Sequence, residues 1–217
     1  MDANGTDDAR PLLEVDGVTL QYKTREHLVT ATYRVSFRVW PSDRFVLLGP
    51  SGCGKSTLLK GVAGFMQPVE GSMRLGGRGI DRPGPDRMMV FQEFDQLLPW
   101  KTVRQNVMFP MLVSGRFGRV EAEERALAYI DKVNLTKFRD AYPHTLSGGM
   151  KQRACIAMAL ACNPGLLIAD EPATALDVII QAQILKLIRD LKKKLNLSLI
   201  LITHDLSIIA EIGRAHV

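Results

Sequence analysis

Long apolar runs are missing from this sequence. No window approaches the ~18 consecutive apolar residues of a membrane-crossing helix, so the chain is not expected to span a bilayer by itself. Cysteine is scarce: Cys53, Cys155 and Cys162 make an odd set with no C-x-x-C pair. That excludes a disulfide framework or a zinc-finger pattern and fits reduced thiols in a cytoplasm. Aromatics are only 6% of residues, and Lys and Arg are not clustered with aromatics between them, as a nucleic-acid binder's would be. The opening Met1–Asp8 is polar and acidic, with neither the basic nor the apolar region of a secretory signal. Internal repeats and low-complexity tracts are absent too.

What remains is ordinary globular composition. The 217 residues carry a net charge of +5, and 46% are hydrophobic. That length suits one domain, or a core with a subdomain. The densest basic cluster, Lys192-Lys193-Lys194, ends a predicted helix, where cations complement the helix dipole on a solvated face.

Residues 1–11 form a polar tail. From Leu12 to about Asp43, the segments Leu13-Glu14-Val15, Val18-Thr19-Leu20 and Val35–Val39 alternate with period two. That predicts antiparallel strands with one wet face. Phe45-Val46-Leu47-Leu48, Leu166-Leu167-Ile168-Ala169 and Leu199-Ile200-Leu201-Ile202 are apolar throughout, and Arg87–Gln92 is a further strand candidate. These are predicted as strands of a parallel sheet covered by helices. Ser56–Phe65, Val120–Val133 and Gly148–Ala161 have helical character. Ile180, Ile184, Leu187, Ile188, Leu191 and Leu195 recur at helical spacing, as one buried stripe. The expected fold is α/β: a parallel-sheet core at 44–96 and 151–211, a mostly antiparallel β subdomain at 12–43, and an inserted α-helical subdomain at 97–150.

Two motifs carry chemistry. Gly49-Pro50-Ser51-Gly52-Cys53-Gly54-Lys55-Ser56-Thr57 matches G-x-x-x-x-G-K-[ST], with a buried strand before it and a helix after it. Glycines let backbone N–H groups curl around phosphate oxygens, and the helix start turns its positive end to the anion. Lys55 would reach the β- and γ-phosphates, and the Ser56 hydroxyl would ligate Mg²⁺. Cys53 is read as a small space-filling residue of the loop; a redox role is the other reading. At the second motif, Asp170 and Glu171 end a buried strand, on the edge where open α/β sheets bind ligands. Asp170 would hold Mg²⁺ through water, and Glu171 would orient or deprotonate an attacking water. Taken alone, two acids before Pro172 could also be turn residues.

Further segments fall in order around these: Val90-Phe91-Gln92-Glu93, Leu146-Ser147-Gly148-Gly149-Met150-Lys151-Gln152-Arg153, Ala175-Leu176-Asp177 and Thr203-His204-Asp205. Together with the phosphate loop and the acidic strand end, the sequence over about 12–211 resembles the ATP-binding-cassette (ABC) ATPases. The resemblance implies a P-loop NTPase (RecA-like) core that binds ATP and Mg²⁺. It implies catalytic roles for Lys55, Gln92, Glu171 and His204, with Gln92 also contacting Mg²⁺. Tyr22 sits where the family stacks an aromatic ring on adenine; its other reading is a strand aromatic packed in its own sheet. Ser147, Gly148 and Gly149 would close over ATP held by a second copy, so the expected assembly is a head-to-tail dimer, and Asp177 of the family's D-loop is a further expected nucleotide-binding residue.

The segment Glu93–Val103 is similar to the ATPases of nitrate, sulfonate and taurine importers. In that branch Leu98, Pro99 and Trp100 would meet a membrane permease, whereas Trp100 could instead cap the local core. The implied function is powering uptake of a small solute on the cytoplasmic face of the inner or plasma membrane, with an indirect solute-binding-protein partner and no nucleic acid. An ABC exporter or lipoprotein-release ATPase, or a soluble ABC ATPase outside transport, is the alternative. Thr174 stands where serine is usual in the family, and Met150 where glutamine is. The chain stops soon after His204, and 212–217 resembles translated adapter sequence, so a truncated reading frame is expected.

Overall fold

A computed structural model describes residues 10–23, 27–93, 96–174, 176–203 and, for the backbone, 215–216. His204, Asp205, Ala175, most of the polar tail and most of 212–217 lie outside the described residues.

The elements in chain order are β1 (Leu13–Lys23), β2 (Leu28–Val39), β3 (Arg44–Leu47), α1 (Lys55–Ala63), β4 (Glu70–Leu75), β5 (Arg78–Gly79) and β6 (Arg87–Val90). Then come α2 (Val103–Val113), α3 (Arg119–Lys132), α4 (Gly148–Ala161), β7 (Leu166–Asp170), α5 (Val178–Leu195), β8 (Ser198–Ile202) and β9 (Ala215–His216). They form two sheets, one antiparallel in the order β2-β1-β4-β5 and one with the order β6-β7-β8-β3-β9, whose pairings are parallel.

The parallel sheet explains its own sequence. Along β7, Leu166 and Ile168 enter one apolar cluster and Leu167 and Ala169 the other; β8 divides Ile200 and Ile202 from Leu199 and Leu201 in the same way. Successive side chains point to opposite faces, and both faces are covered, so no polar alternation survives in these strands. One face packs on α1, whose Leu58, Leu59 and Val62 lie between this sheet and the antiparallel one. The other face meets α2, α3, α4 and α5. On α5 the expected stripe is observed, with Ile184, Ile188 and Leu191 buried and Ile180, Leu187 and Leu195 packed beside them.

The strand membership departs from the expected boundaries in one place. β4 and β5 belong to the antiparallel sheet although they come from the stretch expected to be core. Only Met73 and Leu75 of β4 are buried, so its alternation is too brief to stand out, and β5 spans two residues. On the helical side, α4 runs unbroken from Gly148 to Ala161, across the expected limit at residue 150. The helices of the 97–150 stretch share one continuous apolar cluster with the sheet: Val107, Met111, Ala126 and Ile130 lie with Leu167 and Leu199. Among the described residues, no helix is long and apolar enough to cross a membrane.

Candidate functional site

The site lies at the C-terminal edge of the parallel sheet, where β3, β6 and β7 end. β3 delivers the chain into the glycine-rich loop, and the loop delivers it into α1. Gly54 is the hinge between them. Its φ of 96° is a left-handed value that disfavours other residues, and a Cβ there would lie 2.1 Å from the Ala31 carbonyl oxygen of β2. The loop is thereby pressed onto the antiparallel sheet. Among the described residues, no side chain caps the start of α1, so its N-terminal N–H groups can turn to an anion. The Lys55 ammonium donates to the carbonyls of Gly49 and Pro50, each at 2.8 Å, and lies 3.8 Å from the Cys53 thiol. Its charge is thus held at the mouth of the loop.

The acidic strand end meets this loop directly. Ser56 donates its hydroxyl to Asp170 Oδ1 at 3.0 Å, although 114 positions separate them. Burial pushes the Asp170 carboxyl above its ordinary range and adjacent Glu171 adds to the rise; the Ser56 hydrogen bond and the charges of Lys60 and Lys55 oppose it. Glu171 sits at a φ of 48°, unusual for a residue with a side chain; its N–H donates to Ile202 O at 3.1 Å, and Thr174 donates to its carboxylate at 3.1 Å. That turn aims Glu171 into a cleft of about 490 Å³ shared with Tyr22, Val29, Thr30 and the loop from Ser51 to Thr57. A neighbouring cavity of about 510 Å³ is lined by Ser56, Lys60, Gln92, Glu93 and Asp170. Ser56 lines both spaces.

The Ser56 hydroxyl and the desolvated Asp170 carboxylate converge as oxygen donors, which suits a hard divalent cation; such a charge would keep the buried carboxylate ionised. Among the described residues, no cluster of three or more His, Cys, Asp and Glu side chains could hold a metal by itself. An ion here would therefore take ligands from the bound phosphates or water as well.

The structure brings together Tyr22, the loop residues Ser51–Thr57, Gln92, Asp170 and Glu171. Tyr22 is 44% exposed, so its ring is open on one side. The signature residues lie apart from this group. Ser147 is exposed and caps α4 by accepting from Met150 N at 3.4 Å, and neither it, Gly148 nor Gly149 lines either space. Gly149 also has a packing reason, since a Cβ there would come within 2.7 Å of Ile180 Cγ2 on α5. Asp177 is likewise outside both spaces and caps α5 through Ile180 N at 3.0 Å. Trp100 is 70% exposed, so it does not cap the local core.

Several contributors were not singled out from the sequence. Lys60 lies one helical turn after Ser56 and faces the same cavity, a relation that the i, i+4 spacing could have exposed. Gln96 accepts from Phe91 N at 3.1 Å and donates to Met89 O at 2.9 Å, clamping the segment that carries Gln92. Gln152, fully buried on α4, donates to Phe91 O at 3.5 Å. The Gln96 partners lie five and seven residues away and the Gln152 partner 61 residues away, and no sequence pattern marks either pairing.

Residues 32–174 match the family described as ABC transporter. The chain is 42% identical over 196 residues to the taurine import ATP-binding protein TauB of Rhizobium johnstonii, covering 90% of this chain and 74% of that protein. It is 39% identical to the nitrate import ATP-binding protein NrtD of Synechocystis sp., covering 89% and 72%. Among solved structures, the dimeric ABC transporter cassette MJ0796 superposes with a TM-score of 0.82 at 30% identity, covering 94% of this chain and 92% of that one. The same cassette is also known as a dimer in a post-hydrolysis state bound to ADP and Pi, with a TM-score of 0.80, 30% identity and coverage of 90% and 89%.

Proposed function

The chain belongs to the ABC transporter family of ATP-binding cassettes, and from that premise we propose that it is the ATP-hydrolysing subunit of an importer for a small solute. The observation that carries this reading is the junction at Ser56, where the phosphate loop meets Asp170 and joins the cleft holding Glu171 to the cavity holding Gln92.

In this reading the N–H groups of Gly49–Thr57 and the Lys55 ammonium hold the β- and γ-phosphates, and Tyr22 stacks on adenine. Ser56, Asp170 and Gln92 would hold Mg²⁺. Bound there, the ion supplies charge neutralisation on the phosphate oxygens. Glu171 orients the attacking water and accepts its proton. The family resemblance gives His204 a γ-phosphate contact. The head of α4, with Ser147, Gly148 and Gly149, and Asp177 complete the pocket of a second copy; their distance from the chain's own cleft supports that assignment. Exposed Pro99 and Trp100, beside half-buried Leu98, would meet a permease. The chain would then sit on the cytoplasmic face of the membrane, and a solute-binding protein would deliver cargo from the other side. The relatives' import of taurine and nitrate makes a small anionic or zwitterionic solute the favoured cargo class.

The test is coexpression with a permease from the same gene neighbourhood. The expected result is a copurifying complex with Mg²⁺-dependent ATP hydrolysis, which Glu171→Gln lowers by roughly 10²- to 10⁴-fold while ATP binding persists. Full activity in Glu171→Gln would remove Glu171 from its role, and a chain that binds no Mg²⁺-nucleotide would overturn the reading.

A further inference from the structure

The parallel sheet has a second basic concavity, on the edge opposite the phosphate loop. There β6 begins at Arg87 and β7 at Leu166, whereas their other ends lead to Gln92 and Asp170. A cavity of about 340 Å³ is lined by Arg78, Arg82, Arg87 and Arg116, together with Asp81 and Asp86.

Its base is fixed. The Arg87 side chain is only 6% exposed; it pairs with Asp86 at 2.8 Å and donates to the Arg82 carbonyl, and its Nε lacks a hydrogen-bond partner among the described residues. Asp86 O accepts from Gly165 N at 2.8 Å, tying the loop to the start of β7. Gln67 donates to Asp81 O at 2.6 Å. A Cβ on Gly64, at the end of α1, would lie 2.4 Å from the Arg82 backbone, so helix and loop are in close contact. Pro83 and Pro85 restrict the loop further.

Its rim is electrostatically unsatisfied. Among the described residues, Arg78, Arg82 and Arg116 have no ion-pair partner and are exposed. Asp86 is taken up by Arg87, which leaves these three guanidiniums against the carboxylate of Asp81. Exposed arginines usually spread apart in solvent. Here they converge on one concavity over a buried, incompletely bonded fourth. Guanidinium forks match the paired oxygens of phosphate, and a concave wall strengthens their combined field.

We propose that this cavity is a binding site for a small dianionic oxyanion, namely phosphate or the terminal group of a phosphomonoester. The proposal is independent of the nucleotide reading, because no residue of the cavity belongs to the phosphate loop or its clefts. The anion would be held by Arg78, Arg82 and Arg116, with Arg87 holding the floor in shape.

Calorimetric titration of the full chain with inorganic phosphate, and separately with glycerol 1-phosphate, tests it at low ionic strength. Lys55→Ala serves as a background in which the phosphate loop is disabled. The expected result is a saturable site that persists in Lys55→Ala, weakens about tenfold for each of Arg78→Gln, Arg82→Gln and Arg116→Gln, and fades with added salt. Tighter binding of the monoester would identify an organic phosphate as the occupant, and equal binding would identify the free anion. These arginines are exposed, so their variants should keep the wild-type melting temperature. Absence of saturable binding in Lys55→Ala, or binding that survives the triple arginine variant, would overturn the proposal.

Discussion

The starts of α1 and α2 show how one local structure serves two purposes. α2 opens with a complete capping box: Gln105 N donates to Thr102 Oγ1 at 3.3 Å, and Thr102 N donates to Gln105 Oε1 at 3.0 Å. Its first turn is spoken for, and the helix is an anchor of the core. α1 opens at Gly54 with no capping side chain, beside a lysine held over the gap. Its first N–H groups are not taken up by a side chain of the described residues and can turn to an anion. A helix start that completes its own hydrogen bonds contributes stability; one that leaves them open contributes a site. The head of α4 stands between, with Ser147 accepting from Met150 N at a long 3.4 Å while remaining exposed.

Breaking each start should therefore move different observables. The largest expected effect is at Lys55. Lys55→Ala removes the charge over α1, and ATP affinity should fall about a hundredfold by calorimetry. Its melting temperature should hold, because the lysine's hydrogen bonds go to the loop's own Gly49, Pro50 and Cys53. Unchanged ATP affinity would erase the distinction between the two helix starts.

Asn106 sharpens the other side. It is fully buried, and its amide accepts from Leu98 N at 2.8 Å and donates to the carbonyls of Leu98, Lys101 and Thr102. Asn106→Ala removes the partner of Leu98 N and of the Lys101 carbonyl, whereas the Leu98 and Thr102 carbonyls keep their bonds from Lys101 N and Asn106 N, so it should cost about 1–3 kcal/mol in denaturant unfolding. It should also loosen the turn that presents Trp100, weakening permease copurification more than ATP binding. Thr102→Ala removes the cap itself and should cost about 1 kcal/mol, with ATP affinity unchanged.

The smallest effect is expected at Asp170. Its carboxyl is raised above the ordinary value of 3.8, chiefly by burial. The folded state therefore holds this proton more tightly than the unfolded one. The resulting stabilisation is present below the ordinary value and is lost as pH rises through the raised one. At neutral pH the ionised carboxylate is a cost to the nucleotide-free chain. Asp170→Asn should then raise its melting temperature slightly at pH 7, with the difference shrinking in acid. A lower melting temperature at pH 7 would contradict this account of Asp170.

Much of this architecture was legible in the sequence because the relevant forces are local. The short uninterrupted apolar runs at 166–169 and 199–202 read as strands covered on both faces, and Gly54 and Lys55 announce a phosphate loop by type and spacing. The stripe on α5 gave its buried face directly. What stayed hidden depends on distant partners. β4 is held by pairing with β1, and its short EGSMRL segment carries little pattern of its own. Gln152 matters through the Phe91 carbonyl, 61 residues away, which nothing near it in the chain reveals. The arginine cavity gathers side chains from residues 78–87 with Arg116, a meeting created only by folding.

The central claim is that this chain supplies one half of each nucleotide site and a second copy supplies the other, through the head of α4. The most direct measurement is the molar mass of Glu171→Gln by light scattering, with and without ATP and Mg²⁺. The account expects a monomer that becomes a dimer on adding ATP, with the shift abolished by Ser147→Arg although ATP still binds. A chain that binds ATP yet stays monomeric, or a dimer indifferent to Ser147→Arg, would contradict it.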